Sequence, residues 1–237
     1  VYRPSAESHT FQEISQMGLE MLGAVDEEAV EQAVCLAARS LDALGAEWVL
    51  EVSHMGYLFG LFDALGVPET ARPGLLAALR AKNIHELRAA AAAAGLESAG
   101  ADALTALLEL SGDYAAVLPK AEALCRNARM REAAAELRAL AAPLAQAGGT
   151  ARLDLTLAGE MEYYNGLFFQ GYLRSLPRPL LKGGRYDLLM QKFTPGAGAI
   201  GFAVYLDELD RLSAPLPPVQ QQHTDRVMLN VALPKGR

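Results

Sequence analysis

From residue 11 to residue 22 the side chains fall into two alternating sets: Phe11, Glu13, Ser15, Met17, Leu19 and Met21 against Gln12, Ile14, Gln16, Gly18 and Glu20. A period of two with polar groups on one side predicts a single strand whose polar face lines something. Asp26 predicts the N-cap of a helix over residues 26–44, with Ala29, Val30, Ala33, Val34, Ala37 and Leu41 as its apolar stripe. Residues 47–52 read as a short strand. Residues 55–65 are apolar at helical spacing and stop at Gly66 and Pro68.

Residues 69–148 carry a helical pattern almost throughout, with an alanine run from Ala89 to Ala94 and leucines at helical intervals. Gly95, Gly100, Gly112 and Pro119 are expected to divide it into four or five helices. Strand character returns at 152–157, 161–173, 177–181 and 198–204, the last running into a helix through Leu212. Strands, a helical block and strands again predict an α+β fold: an antiparallel sheet flanked by helices, with an inserted all-helical subdomain. The expected division is a core of residues 1–66 and 150–214, an insertion of 67–149, and a linker and tail of 215–237. The opening Val1-Tyr2-Arg3-Pro4 has no methionine or helix-starting signal, which suggests a start inside a domain.

Composition narrows the class. Of 237 residues 51% are hydrophobic and 21% charged, enough for a substantial core. No apolar run approaches the roughly 20 residues of a bilayer span, so no membrane partner is expected. The net charge of −7 weighs against nucleic acid, and the basic group Arg126, Arg129 and Arg131 lies among Glu122, Glu132 and Glu136 as a solvated helix face would. Cys35 and Cys125, far apart in helical surroundings, read as reduced residues of a cytoplasmic protein. No second ligand stands at metal spacing from His54, and no phosphate loop, Ser-His-Asp set or CxxC pair occurs, so neither metal nor cofactor is expected. His54 itself sits where an imidazole satisfies a local backbone group.

Three short blocks carry the candidate chemistry. Gln16 and Glu20, four apart on a strand, share a face about 13 Å apart. They suit an ammonium and an imidazole N–H, or else are solvent-facing residues of an edge strand. Tyr163 and Tyr164, on the strand expected at 161–173, point to opposite faces, so that one alone meets a pocket or both serve the core. In Gly183-Gly184-Arg185-Tyr186-Asp187 the glycines allow close approach to a ligand or a sharp turn. Arg185 is placed either to clamp a carboxylate or to pair with Asp187 and close that turn.

In combination these blocks resemble the second half of a histidyl-tRNA synthetase catalytic domain. Gln16-Met17-Gly18-Leu19-Glu20 resembles the end of motif 2, Leu157 to Gln170 the histidine-specific block, Gly183 to Asp187 the Gly-Gly-Arg-Tyr-Asp motif, and Gly201 to Leu209 motif 3. The resemblance covers residues 1–65 and 150–212. It implies the class II synthetase fold, a homodimer, and a histidine-contacting set of Gln16, Glu20, Tyr163 or Tyr164, Gly183, Gly184 and Arg185. It also exposes two departures: where the family pattern has catalytic arginines, this chain has Gly159 and Glu208. A carboxylate in place of a cation beside a triphosphate reverses the local electrostatics, so ATP chemistry is not expected.

A fold of this type with histidine recognition and no ATP chemistry is similar to the regulatory branch of the family. That branch pairs with the short-form ATP phosphoribosyltransferase catalytic subunit, and the resemblance implies L-histidine as effector within a larger hetero-oligomer. Residues 228–237 look like the opening of that catalytic subunit, which implies a regulatory–catalytic fusion; an unrelated strand-forming tail is the alternative. Two other functions remain open at this point: a divergent histidine-tRNA ligase, and a docking scaffold that binds no ligand.

Overall fold

The computed structural model describes residues 2–4, 11–13, 15–157 and 163–211, the first two segments by backbone alone. Strands β1 (Tyr2–Pro4) and β2 (Phe11–Glu13) form a small antiparallel ladder. Then follow β3 (Gln16–Gly23), α1 (Glu27–Asp42), β4 (Trp48–His54) and α2 (Met55–Ala64). A helical stretch carries α3 (Arg72–Arg80), α4 (Ile84–Ala93) and α5 (Ser98–Ala106), then a short strand β5 (Ser111–Asp113), then α6 (Tyr114–Ala123) and α7 (Ala128–Ala145). The chain ends its described part with β6 (Thr150–Asp154), β7 (Leu167–Leu173), β8 (Leu181–Arg185), α8 (Asp187–Met190), β9 (Gly198–Tyr205) and α9 (Leu206–Leu209).

Seven strands form one sheet in the order β3-β9-β8-β7-β4-β6-β5, antiparallel at every described pairing except β4–β6. The α+β architecture expected from the sequence is therefore present. Registration places Leu50, Val52, Phe169, Leu181, Phe202 and Val204 on one face. All are buried, and α1 packs against this face, so close that a methyl group on Gly171 would lie 2.6 Å from Leu41. Asp26 caps α1 by accepting from the Ala29 N–H at 2.9 Å, as its position before the apolar stripe predicts. The opposite face is polar: Gln16 and Glu20 of β3, Lys182 of β8, Gln170 of β7 and Glu51 of β4.

Four local expectations are corrected. The strand expected over 11–22 is two strands with different partners, β2 on β1 and β3 on β9. Between them Ser15 is held by the end of the sheet, its N–H on the Asp207 carboxylate and its carbonyl on the Leu206 N–H. The strand expected at 177–181 lies instead at Leu181–Arg185, because Pro177 and Pro179 have no N–H for a ladder. The stretch 69–148 is not all helical: β5 pairs with β6. Gly100 and Pro119 lie inside α5 and α6 and end neither helix. Asp154, buried at the end of β6, binds Lys82 Nζ at 2.6 Å and Ser111 Oγ at 2.9 Å, tying the α3–α4 turn and β5 to the sheet. No helix among the described residues is long and apolar enough to cross a membrane.

Candidate functional site

The polar end of the sheet carries a cavity of about 400 Å³. Its floor is set by strand register. Gln16 pairs with Tyr205 and Glu20 with Gly201, so both β3 side chains and Tyr205 project to the same side. β3 is the edge strand and both residues are solvent-exposed, so the cavity opens at the sheet edge. Gly201 is part of the design of the floor: a methyl group there would overlap the Glu20 carboxylate, which lies across its Cα.

The wall is aromatic. Tyr163 and Tyr164 are not on a strand; β7 begins only at Leu167, and the two residues occupy the turn before it. The expectation that they face opposite ways fails for that reason. Their rings lie 4.5 Å apart, their hydroxyls 3.5 Å apart, and both line the cavity. Tyr186 closes the wall with its ring 5.8 Å from that of Tyr163 in an edge-on arrangement, and its hydroxyl donates to Glu20 Oε2. Burial raises the Tyr164 phenol far above its ordinary value, helped by the Tyr163 hydroxyl and the negative Glu20. Burial also raises Tyr186, and its bond to Glu20 adds to the shift. Both are neutral donors across the physiological range.

The glycine-arginine block is placed differently from the expectation. Residues 183–185 are the second half of β8, not a turn, and alternate across the sheet. None of Gly183, Gly184 and Arg185 lines the cavity. Gly183 is small because a side chain would meet Gly201 O at 2.6 Å and Phe169 at 2.6 Å. Gly184 is small because one would strike the Tyr164 ring at 2.7 Å, so it makes room for the wall without touching the space inside. Arg185 faces away, its Nε donating to Asp187 Oδ2 at 2.7 Å. The cation that does line the cavity is Lys182.

Sequence reasoning missed Tyr186, Lys182 and Tyr205. The signal was available: had 181–185 been assigned as a strand, the period of two would have turned Lys182 and Tyr186 toward the Gln16–Glu20 face. Of the two departures from the arginine pattern, Gly159 lies outside the described residues. Glu208 lies in α9, its largely buried carboxylate 3.4 Å from Arg211 Nε and 3.9 Å from Arg178 Nη1, and does not line the cavity. Among the described residues no group of three or more His, Cys, Asp or Glu is placed to hold a metal. His54 accepts from the Gly56 N–H at 3.0 Å, capping α2, while its Nε2 meets Glu136 Oε2 at 3.1 Å.

Among the described residues the arrangement is an open pocket of one carboxylate, one amide, one ammonium and four phenols, suited to a small zwitterion with an N–H-bearing ring. The sequence profile of histidyl-tRNA synthetases matches residues 1–209. The chain belongs to this family. Within it, the chain is 34% identical over 202 residues to the ATP phosphoribosyltransferase regulatory subunit of Symbiobacterium thermophilum, covering 83% of this chain and 50% of that protein. It is 37% identical over 201 residues to the subunit of the same name from Shouchella clausii, covering 83% and 51%. A crystal structure described as an ATP phosphoribosyltransferase regulatory subunit/histidyl-tRNA synthetase from Bacillus halodurans superposes with a TM-score of 0.73 at 33% identity, covering 82% of this chain and 52% of that one. The class II synthetase-like fold of the family is thus the fold of this chain. The chain spans about half the length of the curated relatives it matches.

Proposed function

We propose that this chain is a histidine-binding regulatory subunit of ATP phosphoribosyltransferase, without catalysis of its own. The observation that carries the reading is the Glu20 carboxylate, held by the Tyr186 hydroxyl at the rim of a tyrosine-walled cavity with Gln16 on the same face. A carboxylate and an amide at this spacing suit the ammonium and imidazole N–H of histidine, and the phenols give its ring an apolar wall with hydroxyl ends. Glu208 at a position where the family pattern has an arginine supports sensing over activation, since that position offers no cation to nucleotide phosphates. The names of the relatives support a catalytic phosphoribosyltransferase partner, and the family resemblance supports a homodimer within a larger assembly. The proposed organisation keeps 67–149 as the insertion and 215–237 as a linker and tail.

Calorimetry tests this directly. L-histidine should bind with a dissociation constant between about 1 μM and 1 mM, a free energy of roughly −8 to −4 kcal/mol. Glu20→Ala should abolish binding with the fold intact by circular dichroism. Absence of histidine binding in the wild type would favour a ligand-free docking role. Histidine-dependent exchange of pyrophosphate into ATP would instead establish a ligase.

A further inference from the structure

Arg185 is charged, conspicuous in sequence and turned away from the cavity that Tyr186 lines. Its stem passes beneath Gly166, where a methyl group would lie 3.0 Å from its Cδ. Its guanidinium reaches Asp187, and both Asp187 oxygens are then engaged: Oδ2 by Arg185 at 2.7 Å and Oδ1 by the Ala199 N–H at 2.9 Å. Ala199 holds the intervening residue as well, its carbonyl accepting the Tyr186 N–H at 2.8 Å. Tyr186 is thus the middle of a three-residue clamp. Its backbone and both flanking side chains are fixed on one side of the sheet, while its ring goes to the other and meets Glu20.

The far side of the clamp is a cleft of about 700 Å³ between the N-terminal end of α1 and α7, where Arg185 and Glu136 both stand. Glu136 is held below the ordinary carboxylate range, first through its bond with His54 and also through the charge of Arg185. His54 Nδ1 accepts from Gly56, so its proton is on Nε2 and is donated to Glu136. Asp187 thus pairs Arg185 within the protein and Glu136 stands at the same cleft, so the Arg185 charge is turned away from a ligand on the opposite face.

We propose that Arg185 is a positioning residue: paired with Asp187, it fixes the Tyr186 phenol on Glu20 and so sets the geometry of the histidine site. The part concerning histidine rests on the function proposed above; the part concerning Tyr186 does not.

Two measurements on this chain test it. In the first, the ring Cζ resonance of ¹³C-labelled tyrosine, assigned to Tyr186 by its loss in Tyr186→Phe, is followed without ligand. Arg185→Ala and Asp187→Asn should each move it in the direction that Glu20→Gln does, while thermal unfolding shows a folded protein; the asparagine keeps an oxygen for the Ala199 N–H and guards against a variant that fails to fold. A Tyr186 resonance unchanged in both overturns the proposal. In the second, Arg185→Ala should weaken histidine about 10-fold with Tyr186 present and less than about 2-fold in a Tyr186→Phe background, because the two act as one unit. Equal losses in both backgrounds overturn it in favour of direct ligand contact. If the wild type binds no histidine, the proposed function falls, and the ring resonance still decides the role of Arg185.

Discussion

A single missing carbon at Gly201 decides where Glu20 can lie. The carboxylate rests over the glycine Cα, and an added methyl group would collide with it and with the Leu19 carbonyl. Gly201→Ala should therefore weaken histidine at least about 10-fold by calorimetry, a loss of about 1.4 kcal/mol, since the displaced carboxylate no longer meets the Tyr186 hydroxyl. Gln16, Glu20, Tyr163 and Tyr164 of the cavity lining were singled out in the sequence while Lys182, Tyr186 and Tyr205 were not, and orientations were legible only where the element was right. Gln16 and Glu20 share a face because they do lie on a strand. Tyr163 and Tyr164 were read with strand parity although they occupy a turn, and the error hid that both face the cavity. For Arg185 the sequence left open a ligand clamp or a bond to Asp187. The fold forms the latter, a choice set by which side of β8 the residue occupies.

Long helices and the apolar strands announced themselves by period; the joints between them did not. The three residues of β5 are too few to show any alternation, and only pairing with β6 makes them a strand. Asn127 illustrates a joint. Its Oδ1 accepts from Met130 N–H at 2.9 Å to cap α7, and its Nδ2 donates to the Gly60 carbonyl of α2 at 2.7 Å. Asn127→Ala should cost about 1–3 kcal/mol in denaturant unfolding, and Asn127→Asp, which keeps the cap and loses the second bond, should fall between it and the wild type. Asp154 is a second joint, with a pH signature. Burial alone would raise its carboxyl, but hydrogen bonds from Lys82 and Thr156 hold it below the ordinary range. A depressed folded value means stability is fully present above the unfolded value, about 3.9, and is lost as pH falls through the lower folded one. The stability gap between wild type and Asp154→Asn should be constant near neutrality and shrink only below about pH 4. A gap that instead narrowed between pH 8 and 6 would assign it to another group.

For the molecule as a whole, a ligand that binds the folded chain alone must raise its melting temperature. At 100 times its dissociation constant histidine should contribute about 2.7 kcal/mol, or roughly 5–11 °C for a chain of this size. Glu20→Ala should show no such rise at the same concentration, which a scanning fluorimeter can read directly. The two-sheet-face layout explains why the fold class was readable and the mixed topology was not. Apolar residues on the α1 side and polar ones on the other give β3 and β4 much of their alternation, but nothing in that alternation states that β4 and β6 run parallel.

The β5–β6 ladder bears on any attempt to trim the protein. Residues 67–149 look dispensable as a surface graft, yet they contribute the outermost strand of the main sheet and the two groups that satisfy one oxygen of Asp154. Splicing Gly66 directly to Thr150 would leave β6 with bare amides along its rim and the buried Asp154 held through one oxygen alone, by Thr156. A minimal version of the molecule would have to retain that ribbon, or supply a substitute for it, before any question about binding could be asked of it.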